Sequence, residues 1–197
     1  MKKICLIRHG ETPWSKSGQH TGSTDIDLTA EGENQAKRLG KRLQPPQFSH
    51  VFTSPRKRSL DTCRFCKLDK QAVLEKDLFE WDYGDYEGKT SAEIHASRPG
   101  WNLFLDGAPN GESPQNVHER AKSFLKKIEP LEGIIAIFTH GHFSRALAIT
   151  FLGLKIELGE IFSLSTASFS ILSFEHQKPA IFLWNDTSHL KTDFFNK

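Results

Sequence analysis

A chain of 197 residues with 37% hydrophobic and 25% charged side chains can bury a full-sized core and suits one α/β domain. A formal net charge of +2, from 26 Lys and Arg against 24 Asp and Glu, creates no long-range basic field and argues against a nucleic acid partner. No apolar run approaches the roughly 18 residues that cross a bilayer, three cysteines do not make a disulfide framework, and the first apolar run is too short for a signal peptide, so a soluble cytoplasmic protein without membrane contact is expected.

Lys3–Ile7 is a continuous apolar run of strand length, as expected for a strand covered on both faces. Leu28-Thr29 opens a helical pattern with Ala36, Leu39 and Leu43 on one stripe, closed by Pro45. Val51-Phe52-Thr53 reads as a second strand, and Pro55, with Ser54 as N-cap, as the start of the next helix. Ser113-Pro114 repeats that signature ahead of Val117, Ala121, Phe124, Leu125 and Ile128 on one helical face. Ile134–Phe138 is a strongly buried strand, Phe143–Leu152 a helix, and Ser168–Phe174 with Ile181–Trp184 a terminal strand pair. Strands alternating with helices imply an α/β fold with a largely parallel sheet, and the whole chain reads as a single domain. Fifteen phenylalanines and four tryptophans spread along the length leave no disordered or repeated tract. Phe194-Phe195 near the terminus suits docking on a partner subunit in a homodimer or on the fold itself.

Ligands of open α/β sheets gather at the carboxyl ends of the strands. Two buried strands end alike, in Leu6-Ile7-Arg8-His9-Gly10 and Ile137-Phe138-Thr139-His140-Gly141. If they are neighbours, two imidazoles stand side by side at one rim, each followed by a glycine that permits close approach of a ligand. Two structural histidines are one reading. A metal site built on His140 and His142 with oxygens from Asp82, Asp85 and Glu87 is a second, disfavoured because Arg8 beside His9 repels a dication. The third is phosphoryl transfer through a neutral histidine, with Arg8 and a cation of Arg56-Lys57-Arg58 gripping the phosphate oxygens. Hydrolysis also requires an acid for the leaving alcohol, and Glu80, Asp82, Asp85 and Glu87 are candidates that spacing does not separate.

Leu6-Ile7-Arg8-His9-Gly10-Glu11-Thr12 resembles the signature of the histidine phosphatase, or phosphoglycerate mutase-like, superfamily. In chain order Gly22, Asp25, Leu28-Thr29, Gly32 and Gln35-Ala36, then Ser54-Pro55 with Arg58 and Thr62, then Glu80, Gly84 and Glu87-Gly88, then His140-Gly141 extend the resemblance over some three quarters of the chain. The resemblance implies a three-layer α/β/α sandwich with a mostly parallel central sheet and a helical lobe over the site at about residues 89–130. It makes His9 the nucleophile, gives Arg8, Arg58 and His140 the phosphate, and makes Glu80 the proton donor and later the base for water. Substrate contacts fall on Ser15, where the family usually has Asn, and on Thr21, Gly22 and Gly141, with His142 and Arg145 able to reach a sugar hydroxyl or second phosphate. For Arg145 the structural alternative is an ion pair with Asp82 or Glu87. Cations and histidines do the charge work, so neither cofactor nor metal ion is expected.

The blocks around Trp14–Gly22, Glu80–Gly88 and His140–Arg145 resemble the bacterial acid phosphatase and sedoheptulose-1,7-bisphosphatase groups. The expected activity is hydrolysis of a small phosphate ester, such as a sugar phosphate. The alternatives are a cofactor-dependent phosphoglycerate mutase and a non-catalytic binder of phosphorylated ligands. Cys63 and Cys66, three residues apart on the predicted helix, read as packing groups.

Overall fold

The computed structural model describes residues 2–44 and 48–190. Pro45, expected to stop the second helical pattern, and Phe194-Phe195 lie outside the described residues. In chain order the elements are β1 (Lys3–Arg8), α1 (Pro13–Ser17), α2 (Ala30–Arg42), β2 (His50–Thr53), α3 (Lys57–Phe65), β3 (Ala72–Leu74), α4 (Ser91–Ser97), α5 (Leu103–Asp106), α6 (Pro114–Ile128), β4 (Ile134–Thr139), α7 (Gly141–Phe151), β5 (Phe169–Glu175) and β6 (Lys178–Asp186). The sheet order is β3-β2-β4-β1-β5-β6. The first four strands run parallel to one another and the terminal pair antiparallel, so the sheet is mixed but mostly parallel.

Alternation along each central strand divides the core into two layers. Ile4 and Leu6 of β1, Phe52 of β2 and Ile135 and Ile137 of β4 face one side with α6 and α7. Cys5, Ile7, Val51, Ala136 and Phe138 face the other with Leu39 of α2 and Cys63 of α3. This is why Lys3–Ile7 and Ile134–Phe138 carry no polar alternation: both of their faces are covered. Helices thus flank the sheet on both sides. Each large apolar side chain buried here contributes about 1.5–3 kcal/mol over exposure, so the central strands anchor the rim on which the site stands.

Two helix starts behave differently from each other. Ser113 caps α6 as its sequence predicts, accepting from the Asn116 amide and closing a capping box. Ser54-Pro55 does not start α3. The helix begins at Lys57 behind Arg56, which makes no side-chain cap; the Ser54 hydroxyl accepts from the Arg56 amide, one residue ahead of the helix, and from His140. β3 has no counterpart in the sequence reading. It is three residues at the sheet edge with Val73 and Leu74 largely exposed, too short for a pattern. Of residues 89–130, α6 packs on α7 and places Phe124 against Phe52, while α4 and α5 are short capped turns preceding it.

Candidate active site

β1 and β4 are parallel neighbours with Arg8 opposite Thr139, so the next residue of each strand is a histidine at the same level. The rings of His9 and His140 meet edge to face with centroids 5.3 Å apart. Nδ1 of His9 lies 2.8 Å from the Gly10 carbonyl, which only accepts, so Nδ1 holds the ring proton and Nε2 keeps its lone pair. Burial, then the charges of Arg58 and Arg8, hold this imidazole well below the usual histidine range. The result is a neutral ring with one bare nitrogen. His140 is fixed in the opposite sense: its Nδ1 accepts from Arg58 Nε at 3.2 Å, and its Nε2–H donates to Ser54 Oγ at 2.8 Å. Burial and Arg58 keep it neutral too.

The cations have separate tasks. Arg8 donates to the Leu164 carbonyl through Nη1, and its buried Nε has no partner among the described residues. A Cβ on Gly141 would sit 3.3 Å from that guanidinium, so the glycine keeps the approach to Arg8 open. An unpaired buried donor is costly, and an anion beside it removes the cost. Arg58 is fully buried and committed: Nη1 donates to Thr24, Nη2 to Thr21 and Gly22, and Nε to His140. It supplies positive charge behind the two histidines and ties down the residue 21–24 loop. The N-terminus of α3 is likewise taken, since the Lys57 amide donates to Asp25 at 2.8 Å.

Glu80 is the acid that stands apart from its neighbours. It lines the same cleft as His9, whereas Asp82, Asp85 and Glu87 serve turns. Asp82 accepts from the Gly84 amide, Asp85 from Asn110, and Glu87 takes the amides of Gly22 and Thr24. The Glu80 carboxylate sits on the N-terminus of α7, with Oε1 accepting from Trp81 and Phe143 and Oε2 from His142 at 3.0 Å. Oε2, with a single amide partner, retains a lone pair for a proton.

The cleft has a cavity volume of about 200 Å³ and is walled by Arg8, His9, Ser15, Thr21, Glu80, Gly141, His142 and Arg145. Arg58 and His140 stand behind this lining. Ser15 closes the capping box of α1: its hydroxyl accepts from the Thr12 amide and donates to the Thr12 carbonyl, so the proton that a phosphate contact would use is already placed. Gly22 is held between Glu87 on its amide and Arg58 on its carbonyl, and a Cβ there would collide with the Trp81 carbonyl oxygen. Gly22→Ala is expected to displace this loop, at a cost of about 1–3 kcal/mol in a thermal or urea melt. Arg145 pairs with neither Asp82 nor Glu87. It donates to the carbonyls of Gly159 and Glu160 and lies over the Phe104 ring, because the 3-10 turn Ile156–Ile161 comes closer than those acids.

Sequence reasoning did not single out His20, Gln19 and Leu164 as cleft residues. The signal for His20 was its place beside Thr21-Gly22; Tyr83, an aromatic at the rim that reads as cleft wall or as core, is buried and also lines the cleft. Cys63 and Cys66 are buried, with the Cys63 thiol pushed up to about 12 by burial, in keeping with packing. Among the described residues no cluster of three His, Cys, Asp or Glu side chains is arranged to hold a metal ion. Within the same residues, no helix is long and apolar enough to cross a membrane.

Residues 4–187 match the family model of the histidine phosphatase superfamily, branch 1. The chain belongs to that superfamily. It is 40% identical over 178 residues to an acid phosphatase of Mycobacterium tuberculosis, covering 88% of this chain and 87% of the relative. It is 36% identical over 188 residues to the sedoheptulose 1,7-bisphosphatase of Saccharomyces cerevisiae, covering 79% and 69%. A solved structure from Mycobacterium tuberculosis superposes with a TM-score of 0.89 at 37% identity, over 93% of this chain and 97% of that one. Membership accounts for the paired Arg-His-Gly and His-Gly strand ends.

Proposed function

We propose that the protein is a metal-independent phosphomonoesterase of the cytoplasm, acting on small phosphorylated metabolites through a phosphohistidine on His9. The observation that carries this reading is the bare Nε2 of a neutral, buried His9 opening on a cleft that also holds Glu80 and the Nε of Arg8, which has no partner among the described residues. Nε2 attacks phosphorus as the bond to the leaving oxygen breaks, and a proton on Glu80 passes to that oxygen. Water then attacks the phosphohistidine, the Glu80 carboxylate takes its proton, and inorganic phosphate leaves with His9 neutral again. Arg8 grips the phosphoryl oxygens, while Arg58 and His140 form a fixed positive and polar backing that needs no reorganisation during the step. The chain works as a single domain, with the 89–130 segment over the cleft.

A phosphoglycerate mutase is the less favoured reading. It must hold a bisphosphorylated intermediate away from water, and the two cations of Lys89–Pro109 are occupied: Arg98 pairs with Asp106, and Lys89 lies over the Tyr86 ring. A non-catalytic binder has no use for Glu80 on the cleft. Phosphate release from p-nitrophenyl phosphate, 3-phosphoglycerate, fructose bisphosphate and sedoheptulose bisphosphate decides among these. The expected result is release from at least one ester, whereas 2-phosphoglycerate formed without release would establish the mutase. Activity is expected to survive EDTA, because the site's charge comes from arginines; a complete loss restored by a divalent ion would contradict the mechanism.

A further inference from the structure

Beyond the phosphate end of the cleft, two histidines stack face to face. The rings of His20 and His142 are parallel within 8°, with centroids 5.9 Å apart, and both line the cleft. Each has one nitrogen assigned by its partner. Nδ1 of His20 lies 2.8 Å from the Lys89 carbonyl, so that nitrogen is the donor and the neutral ring carries a bare Nε2. Nδ1 of His142 lies 2.6 Å from the Tyr83 hydroxyl, and that hydroxyl has no other partner among the described residues. Burial keeps the phenol protonated, well above its usual range, and burial with Arg145 keeps His142 neutral. Tyr83 therefore donates to Nδ1, and the His142 proton sits on Nε2. Neither Nε2 has a protein partner among the described residues.

We infer that His20 and His142 form a hydroxyl-reading subsite, which selects phosphorylated polyols over phosphate esters whose leaving group lacks hydroxyls or carries only acceptors. A hydroxyl donates to the His20 Nε2 and accepts from the His142 Nε2–H, satisfying both. A carboxylate or second phosphate offers lone pairs alone and would set one of them against the bare nitrogen of His20. Tyr83 acts here as a positioning residue, since it fixes which nitrogen of His142 donates. This inference rests on the proposed hydrolysis at His9 and names the substrate class of that site.

The test is the ratio of kcat/KM for glycerol 3-phosphate to that for n-propyl phosphate, two esters of equal carbon chain that differ in hydroxyls. The native protein is expected to favour glycerol 3-phosphate by about 10- to 100-fold, and Tyr83→Phe and His20→Phe to bring the ratio within about threefold of unity. The ratio is taken within each variant, so a loss of folded protein cancels. A native ratio near one, or a preference that survives in both variants, overturns the inference while leaving hydrolysis intact. Failure of the native protein to release phosphate from either ester and from every ester of the panel above overturns hydrolysis and this inference together, whereas release from the panel but from neither of these two overturns the inference alone.

Discussion

His9→Ala is expected to lower kcat by a factor on the order of 10⁴ to 10⁶, with near-native circular dichroism, because the step that fails is bond formation to phosphorus. Removing a ring that is 5% exposed also leaves a gap beside His140 and frees the Gly10 carbonyl. Stability is therefore expected to change by only a few kcal/mol, in the range of large-to-small core substitutions. The two effects separate experimentally: phosphate release measures the chemistry, and a melt measures the cavity. A variant that folds and keeps more than a few per cent of native kcat would remove His9 from the nucleophile's role.

The second large effect is on stability as a function of pH. His9, His140 and His142 are each held well below the usual histidine value, first by burial and then by the arginines around them. Below about pH 6.5 the unfolded chain binds three protons that the folded chain refuses. The stability these neutral rings carry is thus complete above that pH and lost as the pH falls toward their depressed folded values. Each ring contributes a slope of about 1.4 kcal/mol per pH unit, so together they approach about 4 kcal/mol per unit, against a typical total of about 5–15 kcal/mol. Thermal melts between pH 7.5 and 5 are expected to show a steep fall in Tm, and His142→Asn to reduce the slope by about one third. A Tm that stays level over this range would contradict the neutral assignments. The same depression keeps the nucleophile unprotonated, so the acid limb of kcat/KM is expected below the ordinary histidine value. Catalysis tolerates acid better than the fold does, and inorganic phosphate, binding only the folded state, is expected to offset part of the loss.

Much of this site was legible because strand geometry converts sequence adjacency into spatial adjacency. Arg8-His9-Gly10 and Thr139-His140-Gly141 each follow a run buried on both faces, and a parallel register then forces the rings together. The acid was not legible from spacing: Glu80, Asp82, Asp85 and Glu87 differ only in what their oxygens meet, and three of them are spent on turns. Resemblance named Glu80, and its placement on the first turn of α7 supplies the physical reason. The commitments of polar atoms were hidden as well. Four of the Arg58 donors go to Thr21, Gly22, Thr24 and His140, pairings that its place in the sequence does not record. Ser54 reads as a helix cap, but its hydroxyl meets the Arg56 amide ahead of the helix and the His140 ring across the sheet. The distant ones among these pairings reach from 34 residues of chain, between Arg58 and Thr24, to 86, between Ser54 and His140, which no local pattern records.

The central claim is a covalent phosphoryl group on one nitrogen of one histidine. Mixing the protein with radiolabelled substrate and quenching in alkali within milliseconds, followed by peptide mapping, tests it most directly. The expected label is stable in alkali and labile in acid, is carried on Nε2 by the peptide containing His9, and is absent from His9→Ala. Label on a serine or carboxylate, or phosphate released without any labelled protein, would contradict it.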